Sequence, residues 1–237
     1  MATASEFKKV FSLALREQKS LFVYNLGDQE LKPSPVERDL GVLVDNNLKF
    51  HEHTADIIRK SKRTLGIIKR SFSYLDENIM KKLYKSLVRP VIEYANVIWG
   101  PLNVGDSKLL EKVQRRATKM VKNIRNLTYE ERLRRMKLPS LKYRRRRGDM
   151  ILVYKLVSGM LKTDGIVKRS APRYAIRGHH LRLVKQRATK RPRRNHLTIR
   201  SVNDWNSLPG WVVSAPSLNI FKTKLDKFWS GEKYKFD

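Results

Sequence analysis

The chain has 237 residues, with 52 Lys and Arg against 22 Asp and Glu, which gives a formal net charge of +30. Because it contains no Cys, a disulfide framework, thiol catalysis and a zinc site built on thiolates are excluded. The sequence has no apolar run of the length that a membrane span needs, and charges interrupt every apolar stretch near its start, so neither a membrane span nor a secretory signal is expected.

The N-terminal part of the chain predicts one short helix followed by β structure. Apolar residues at helical spacing predict an amphipathic helix over 5–17. The turn signal Leu26-Gly27-Asp28 lies between two apolar stretches and predicts a hairpin. The run 39–45 is rich in β-forming residues and predicts a buried strand.

After this strand the apolar residues recur at the spacing that is typical of helices. One predicted helix ends near Ser71, and a second begins after Asp76, whose carboxylate can cap free backbone N–H groups. Pro90 predicts a kink or a restart, because proline has no N–H to donate and disfavours helix in the residue before it. The apolar helical piece that follows is expected to end near Trp99.

A predicted helix over 107–124 separates an apolar half from a basic stripe. Five cations recur at i, i+4, i+7, i+11 and i+14, which confines them to an arc of about 80° opposite the apolar face. Like charges four residues apart repel each other, so a stripe of one sign is typical of a polyanion-binding face; an ordinary solvated face is the alternative. The stripe consists of Lys108, Lys112, Arg115, Lys119 and Lys122.

Two further helices are predicted in the central region. Thr128 has the capping-box spacing to a Glu three residues later, which places a helix over 129–136. A helix over 141–158 follows, with Gly159 as its C-terminal stop. Four consecutive arginines in this helix sweep about 300° of its circumference, so Arg147, which shares the apolar line, is expected to snorkel or to pair with an acid. The other three are expected to be better placed for phosphate: Arg144, Arg145 and Arg146.

The remaining chain combines a basic arm with an apolar end. Residues 160–196 lose the helical period, and the basic run at 190–194 predicts a loop or arm. Ser217 is expected to cap a final helix whose aromatic residues belong to the core and do not form base-stacking platforms. The arm supplies the remaining candidates for phosphate binding: Arg187, Lys190, Arg191, Arg193 and Arg194.

Patterns typical of catalysis are absent from the sequence. It contains no dinucleotide-binding or P-loop glycine pattern and no nucleophile elbow. No Asp-Asp pair is present for a two-metal site, and the histidines lack metal-binding spacing. We therefore expect no enzymatic activity, no metal site and no cofactor. The histidines considered are His51, His53, His179, His180 and His196.

The surplus positive charge is concentrated in the middle of the chain. Residues 110–200 contain 29 Lys and Arg against 5 Asp and Glu, a net +24, whereas the other 146 residues carry a net +6. Self-repulsion of so many like charges works against a compact state unless a polyanion neutralises them. Nucleic acid (RNA, DNA or a hybrid) is therefore the predicted partner, held through phosphate contacts that do not read the base sequence.

Seven ordered blocks of the sequence resemble the region that follows the polymerase core in LINE-type non-LTR retrotransposon reverse transcriptases. The blocks are ERDLGVLVD at 37–45, IIKRSFSYL at 67–75, LYKSLVRPVIEY at 83–94, LLEKVQRRAT at 109–118, YEERL at 129–133, RGDM at 147–150 and VNDWNSLP at 202–209. The resemblance is collinear over about residues 20–230. It implies a helical thumb-like region and a C-terminal extension that grip template and primer behind the active site.

The resemblance implies part of a polymerase without its chemistry. The family's Tyr/Phe-Ala-Asp-Asp motif and its first metal-binding aspartate lie upstream of the matching region, and this sequence contains neither. Residues 1–19 do not resemble the family, so we expect them to stand in place of the fingers and palm. The expected domains are 1–19 with a short helix, 20–159 with a β element and thumb-like helices, 160–196 as a basic arm, and 197–237 as a Trp-rich helical extension.

The predicted fold is mainly α: a helical thumb-like bundle with a small N-terminal β hairpin or strand element and a short C-terminal helical extension. The predicted function is that of a nucleic-acid-binding fragment of a retrotransposon RNA-directed DNA polymerase, in an intracellular and nuclear location. A reverse-transcriptase palm acting in trans is a further expected partner, and a membrane is not. Two alternatives are a retroelement relic without function and a protein-interaction module that uses the 205–229 region.

Overall fold

The computed structural model describes residues 12–13, 25–30, 33–100, 103–161, 178–189, 191–231 and 235–236. Within these ranges the protein is mainly helical, with short two-stranded β pairs near its N-terminus, which confirms the predicted fold class. No helix in the described ranges is long and apolar enough to cross a membrane.

The β structure consists of three separate pairs of short strands. These are β1 (Ser12–Leu13) parallel to β4 (Pro33–Ser34), β2 (Asn25–Leu26) antiparallel to β3 (Gln29–Glu30), and β5 (Val36–Asp39) antiparallel to β6 (Val42–Asp45). The β2–β3 pair confirms the predicted hairpin, and Gly27 in its turn has a φ of 61°. β1 shows that the predicted helix over 5–17 is wrong at residues 12 and 13, because a distant segment supplies their backbone partners. The rest of that predicted helix lies outside the described residues.

The β5–β6 hairpin corrects the prediction of one buried strand over 39–45. Leu40 and Gly41 form its two-residue turn with φ values of 42° and 85°, and two positive values in succession suit the right-handed twist of the flanking strands. Val42 is buried, whereas Leu40 is 85% exposed. The apolar run therefore contains a reversal of chain direction near its start.

Helices make up most of the described structure. In chain order the α-helices are α1 (His51–Ser71), α2 (Glu77–Leu83), α3 (Arg89–Glu93), α4 (Asn96–Trp99), α5 (Val104–Lys119), α6 (Tyr129–Met136), α7 (Leu141–Val157), α8 (Arg191–Asn195), α9 (Leu197–Arg200), α10 (Val202–Asn206), α11 (Gly210–Val213) and α12 (Leu218–Phe228). A π-helical turn at Tyr84–Val88 joins α2 to α3, and 3-10 turns follow α5 at Lys122–Ile124 and α12 at Trp229–Gly231.

Most of the predicted helix caps are present. Asp76 accepts a hydrogen bond from the Ile79 N–H at 2.7 Å at the start of α2. Thr128 forms the expected capping box at the start of α6, and Ser217 caps α12. These side chains accept hydrogen bonds from N–H groups that have no partner inside the helix. The local sequence therefore determines where each helix begins.

The disturbance predicted at Pro90 takes the form of the π-helical turn. The N–H of Arg89 donates to the carbonyl of Tyr84, one residue further back than in an α-helix. A second break follows at Ala95, whose φ is 49°, so the apolar piece up to Trp99 consists of two short helices.

Buried apolar side chains form two clusters, both of which include residues of α7. The first cluster gathers side chains from β6 to the start of α7 and includes Trp99 and Leu141. The second joins the rest of α7 to the C-terminal helices and includes Trp205, Phe221 and Trp229. Of the aromatic residues near the last helix that were expected in the core, Phe221 and Trp229 are buried there, whereas Phe228 is 41% exposed. α7 is therefore the element that connects the two clusters.

Candidate nucleic-acid interface

The basic stripe of α5 lies opposite a fully buried apolar face. Leu110, Val113 and Ala117 are at most 1% exposed. Leu109, another apolar residue of this helix, is 44% exposed. The exposed cations of the stripe on this helix are Lys108, Lys112, Arg115 and Lys119. Within the described ranges, none of these four forms an ion pair with an acid.

The helical stripe ends before Lys122, so the prediction of one continuous helix over 107–124 is wrong at its C-terminal end. Val121 is extended, with a ψ of 113°, and Lys122 begins a 3-10 turn. Val121 and Ile124 are both fully buried, and the turn at Lys122–Ile124 allows both side chains to reach the core. Lys122 is exposed but does not continue the helical register of the stripe.

A groove of about 650 Å³ lies between α5 and α7, and the start of α4 and the end of α9 contribute to its lining. Seven basic and two acidic side chains line this groove, so its charge is strongly positive. The structure thus brings together cations of α5 and α7 that are far apart in the sequence. The lining residues are Lys108, Lys112, Arg115, Lys142, Arg145, Arg146, Arg200, Glu111, Asp149, Asn96, Ser107, Asn195, Gly100 and Val104.

The first and last of the four consecutive arginines of α7 pair with carboxylates outside the groove lining. Arg147 donates to both oxygens of Asp226 at 2.6 and 2.8 Å, which confirms the expectation that it pairs with an acid. Arg144 donates from Nε and Nη2 to the two oxygens of Glu93, the second at 2.7 Å. Each carboxylate raises the pKa of its arginine, so both guanidinium groups remain charged.

The two middle arginines line the groove. Arg146 donates to both carboxylate oxygens of Asp204 at 2.9 and 3.1 Å. Arg145 donates to the hydroxyl of Ser107 at 2.7 Å, and within the described ranges no acid lies at ion-pair distance from it. Burial lowers the pKa of the Arg145 guanidinium although nearby carboxylates oppose this shift. Of the two, Arg145 is therefore the one whose charge has no adjacent carboxylate.

Glu111 is the acid of α5 that lines the groove, and the fold holds its carboxylate in place. The hydroxyl of Tyr129 donates to it at 2.5 Å, and the N–H of Leu141 donates to it at 3.1 Å. Burial raises the pKa of Glu111, and these two hydrogen bonds oppose the shift in part. The guanidinium of Arg115 lies 4.4 Å from the centroid of the Tyr129 ring. The carboxylate thus links α5 to the starts of α6 and α7.

Sequence reasoning missed two basic residues of the groove. Arg200 donates to both oxygens of Asp149 at 2.8 and 2.7 Å, and this partner is 51 positions away, so no local pattern indicates the contact. Lys142 precedes Arg145 and Arg146 by three and four positions on α7, and this helical spacing could have identified it.

The described arginines of the basic arm lie outside the groove lining, to which the arm contributes Asn195. Arg191–Asn195 is a short helix, so the prediction of a loop or arm is wrong for this segment; Pro192 suits its first turn. Arg187, Arg193 and Arg194 are exposed. Lys190 and the side chain of Arg191 lie outside the described residues.

His51 and His53, two of the histidines that were considered as metal ligands, make contacts within the fold. His53 is buried, and its Nδ1 accepts the N–H of Leu43 at 3.2 Å; burial lowers its pKa. His51 lies 2.6 Å from a carboxylate oxygen of Asp106. Among the residues that the structure describes, no group of three His, Cys, Asp or Glu side chains could hold a metal ion.

Comparison with known proteins gives one similarity. The uncharacterised protein B0403.1 of Caenorhabditis elegans is 25% identical over 124 residues, which are 51% of this chain and 63% of that protein. The match therefore covers less than two thirds of the length of the relative. No family model matches the sequence. No solved structure matches the chain.

Proposed function

We propose that the protein binds nucleic-acid strands by their phosphates, as a fragment of a retrotransposon RNA-directed DNA polymerase that has no catalytic centre of its own. The observation that carries the proposal is a row of three cations, Lys108, Lys112 and Arg115, that lines the groove without carboxylate partners in the described ranges. The sequence resemblance to LINE-type reverse transcriptases supports the polymerase origin.

The row has the length of a short phosphate track. From Lys108 to Arg115 the helix rises by about 10 Å, since each residue adds about 1.5 Å. One nucleic-acid strand places a phosphate about every 3.4 Å along a duplex axis, so the row can follow about three phosphates. Such contacts fix the position of a strand and leave its base sequence unread, which suits a protein that must bind any template.

The finer features of the proposal rest on the sequence resemblance. They are a hybrid of template RNA and nascent DNA as the ligand, a palm domain in trans as a partner, and a nuclear location. The exposed arginines of the arm (Arg187, Arg193 and Arg194) would add electrostatic attraction over a longer strand.

Charge reversal in the row tests the proposal. Lys108→Glu with Lys112→Glu is expected to weaken binding to an RNA–DNA hybrid at least tenfold at low salt, about 1.4 kcal/mol or more, because two attractive phosphate contacts become repulsive. Fluorescence anisotropy with several unrelated hybrid sequences measures the effect. The loss is expected to be about equal for all of them, since phosphate contacts are independent of sequence.

A matched control separates the groove from net charge. Lys62→Glu with Lys69→Glu reverses two exposed lysines of α1 that, within the described ranges, form no ion pair and do not line the groove. This control is expected to change the affinity less than about threefold, and circular dichroism checks that both variants fold. Equal losses in the two double variants, or no binding by the wild-type chain, would contradict the proposal.

A pH dependence of binding is expected from Glu111. Its pKa is raised by burial, so its carboxylate takes up a proton as the pH falls from neutral towards that raised value, and the groove then gains one positive charge. Binding should therefore tighten on acidification. Glu111→Gln can still accept hydrogen bonds from Tyr129 and Leu141, and it is expected to bind about threefold more tightly at pH 7.

The pH effect is measured as the difference between wild type and Glu111→Gln, so that other titrating groups cancel. Anisotropy titrations at pH 5 and pH 7 should show the affinities of the two proteins converging at the lower pH. An affinity ratio that is the same at both pH values would contradict the assignment to Glu111.

One observation favours the alternative of a protein-interaction module. Trp211 and Phe228 are both partly exposed and meet edge to face, with ring centroids 6.4 Å apart. Exposed aromatic residues of this kind are enriched at protein interfaces. Co-purification of a protein partner that survives nuclease treatment would favour this function over nucleic-acid binding.

A further inference from the structure

Arg145 differs from its three arginine neighbours on α7. Each neighbour donates to both oxygens of a carboxylate, whereas Arg145 donates to the hydroxyl of Ser107 and, within the described ranges, has no acid at ion-pair distance. A partly buried guanidinium without an ion-pair partner is costly, because burial removes water and the carboxylates that lie nearby do not contact the guanidinium. Arg145 lines the groove, so an anion that enters the groove can supply the missing charge.

The size of the groove restricts what can enter it. A sphere of 650 Å³ is about 11 Å across, within the range of pockets that hold molecules of about one or two nucleotides. A duplex is wider, since its major groove alone measures about 12 Å. A duplex can therefore lie along the exposed cations of α5, whereas an unpaired strand is narrow enough to enter the groove, which Arg145 lines.

The surroundings of Arg115 also suit an unpaired strand. Its guanidinium lies over the ring of Tyr129, and the arginine is exposed at the groove. Unpaired bases stack on the planes of arginine guanidinium groups, whereas bases inside a duplex are already stacked on each other.

We propose that the groove binds an unpaired nucleic-acid strand and that Arg145 binds one of its phosphates. This inference rests on the proposed function and adds to it the kind of strand that the groove accepts. A hybrid with a single-stranded extension then binds in two parts, with the duplex along the α5 cations and the extension in the groove. Arg145 forms a two-pronged contact with a phosphate, which the planar guanidinium favours over the point charge of a lysine.

The test compares a blunt RNA–DNA hybrid with the same hybrid carrying about six unpaired nucleotides, a length within the range that single-strand sites contact. The wild-type chain is expected to bind the extended hybrid about tenfold more tightly. Arg145→Gln is expected to lose this preference and to retain its affinity for the blunt hybrid. Arg145→Lys should recover part of the preference, because it restores the positive charge without the two-pronged contact of the planar guanidinium. Arg63→Gln, an exposed arginine of α1 outside the groove lining, is the matched control and should keep the full preference.

The outcomes separate this inference from the proposed function. Equal affinity of the wild-type chain for the two hybrids would overturn the inference, whatever the stability of the variants. If Lys108→Glu with Lys112→Glu still weakened both hybrids in that case, the proposed function would stand. A preference that Arg145→Gln leaves intact would also overturn the inference. Absence of binding to either hybrid by the wild-type chain would remove both proposals.

Discussion

Raising the salt concentration from 50 to 200 mM is expected to weaken binding of an RNA–DNA hybrid with a single-stranded extension by about 10³-fold, if each unpaired cation of the interface neutralises one phosphate. Six candidate cations form no ion pair within the described ranges: Lys108, Lys112, Arg115, Lys119, Lys122 and Arg145. Each neutralised phosphate releases condensed counterions, so the logarithm of the affinity falls linearly with the logarithm of the salt concentration. The slope is about −0.9 per phosphate on a duplex, and six phosphates account for the expected loss.

Arginines that already bind carboxylates should contribute less to this slope. Arg146 and Arg200 line the groove, but each donates to both oxygens of an Asp, so a phosphate would have to compete with that carboxylate. If these and the arm arginines also contact phosphate, the loss rises towards about 10⁵-fold. The measured slope of log affinity against log salt concentration therefore gives the number of cations that contact phosphate.

Anisotropy titrations at four or more salt concentrations measure the slope. Lys108→Glu with Lys112→Glu should make it less steep by about two, and Lys62→Glu with Lys69→Glu should leave it unchanged. A nearly flat salt response of the wild-type chain would show that phosphate contacts do not hold the ligand. The interface would then be an exposed basic surface without a polyanion.

Local patterns in the sequence predict much of this architecture because the forces behind them are local. The buried face of α5 follows from apolar residues at helical spacing. The starts of α2, α6 and α12 follow from side chains that can accept hydrogen bonds from the free N–H groups of a first turn. The exposure of four stripe cations follows from the same periodicity, since the face opposite a buried one is exposed.

The parts that sequence reasoning did not predict depend on distant partners. Asp204 and Asp226 lie 58 and 79 positions from the arginines that they bind, and nothing near those arginines indicates which acid will meet them. β1 likewise forms on a partner strand that the local helical pattern does not reveal. At Lys122 the helical pattern of the sequence extends past the point where the helix ends. The helix ends earlier because burial of two apolar side chains outweighs the local preference for one more helical turn.

Arg200→Ala is expected to lower the free energy of unfolding by about 3 kcal/mol, because it leaves the buried carboxylate of Asp149 without its counter-ion. The guanidinium also donates to the carbonyls of Asn195 at 2.7 Å and Val97 at 3.1 Å, and both lose this donor. Breaking a buried ion pair costs about 3–5 kcal/mol, and the lower value is expected because the Arg200 side chain is 22% exposed. Urea denaturation followed by circular dichroism measures the change.

Two further variants test whether Arg200→Ala lowers stability because it leaves a buried charge unpaired or because it removes an arginine side chain. Arg134 pairs with Glu130 on the exposed face of α6, so Arg134→Ala is expected to cost less than about 0.5 kcal/mol. Asp149→Asn in the Arg200→Ala background removes the uncompensated charge and should recover about half of the lost stability. Equal stabilities of the single and double variants would instead assign the loss to the two carbonyl contacts. Since these contacts join α4 and the end of α8 to Arg200 of α9 beside the groove, they would then be what holds this side of the groove together.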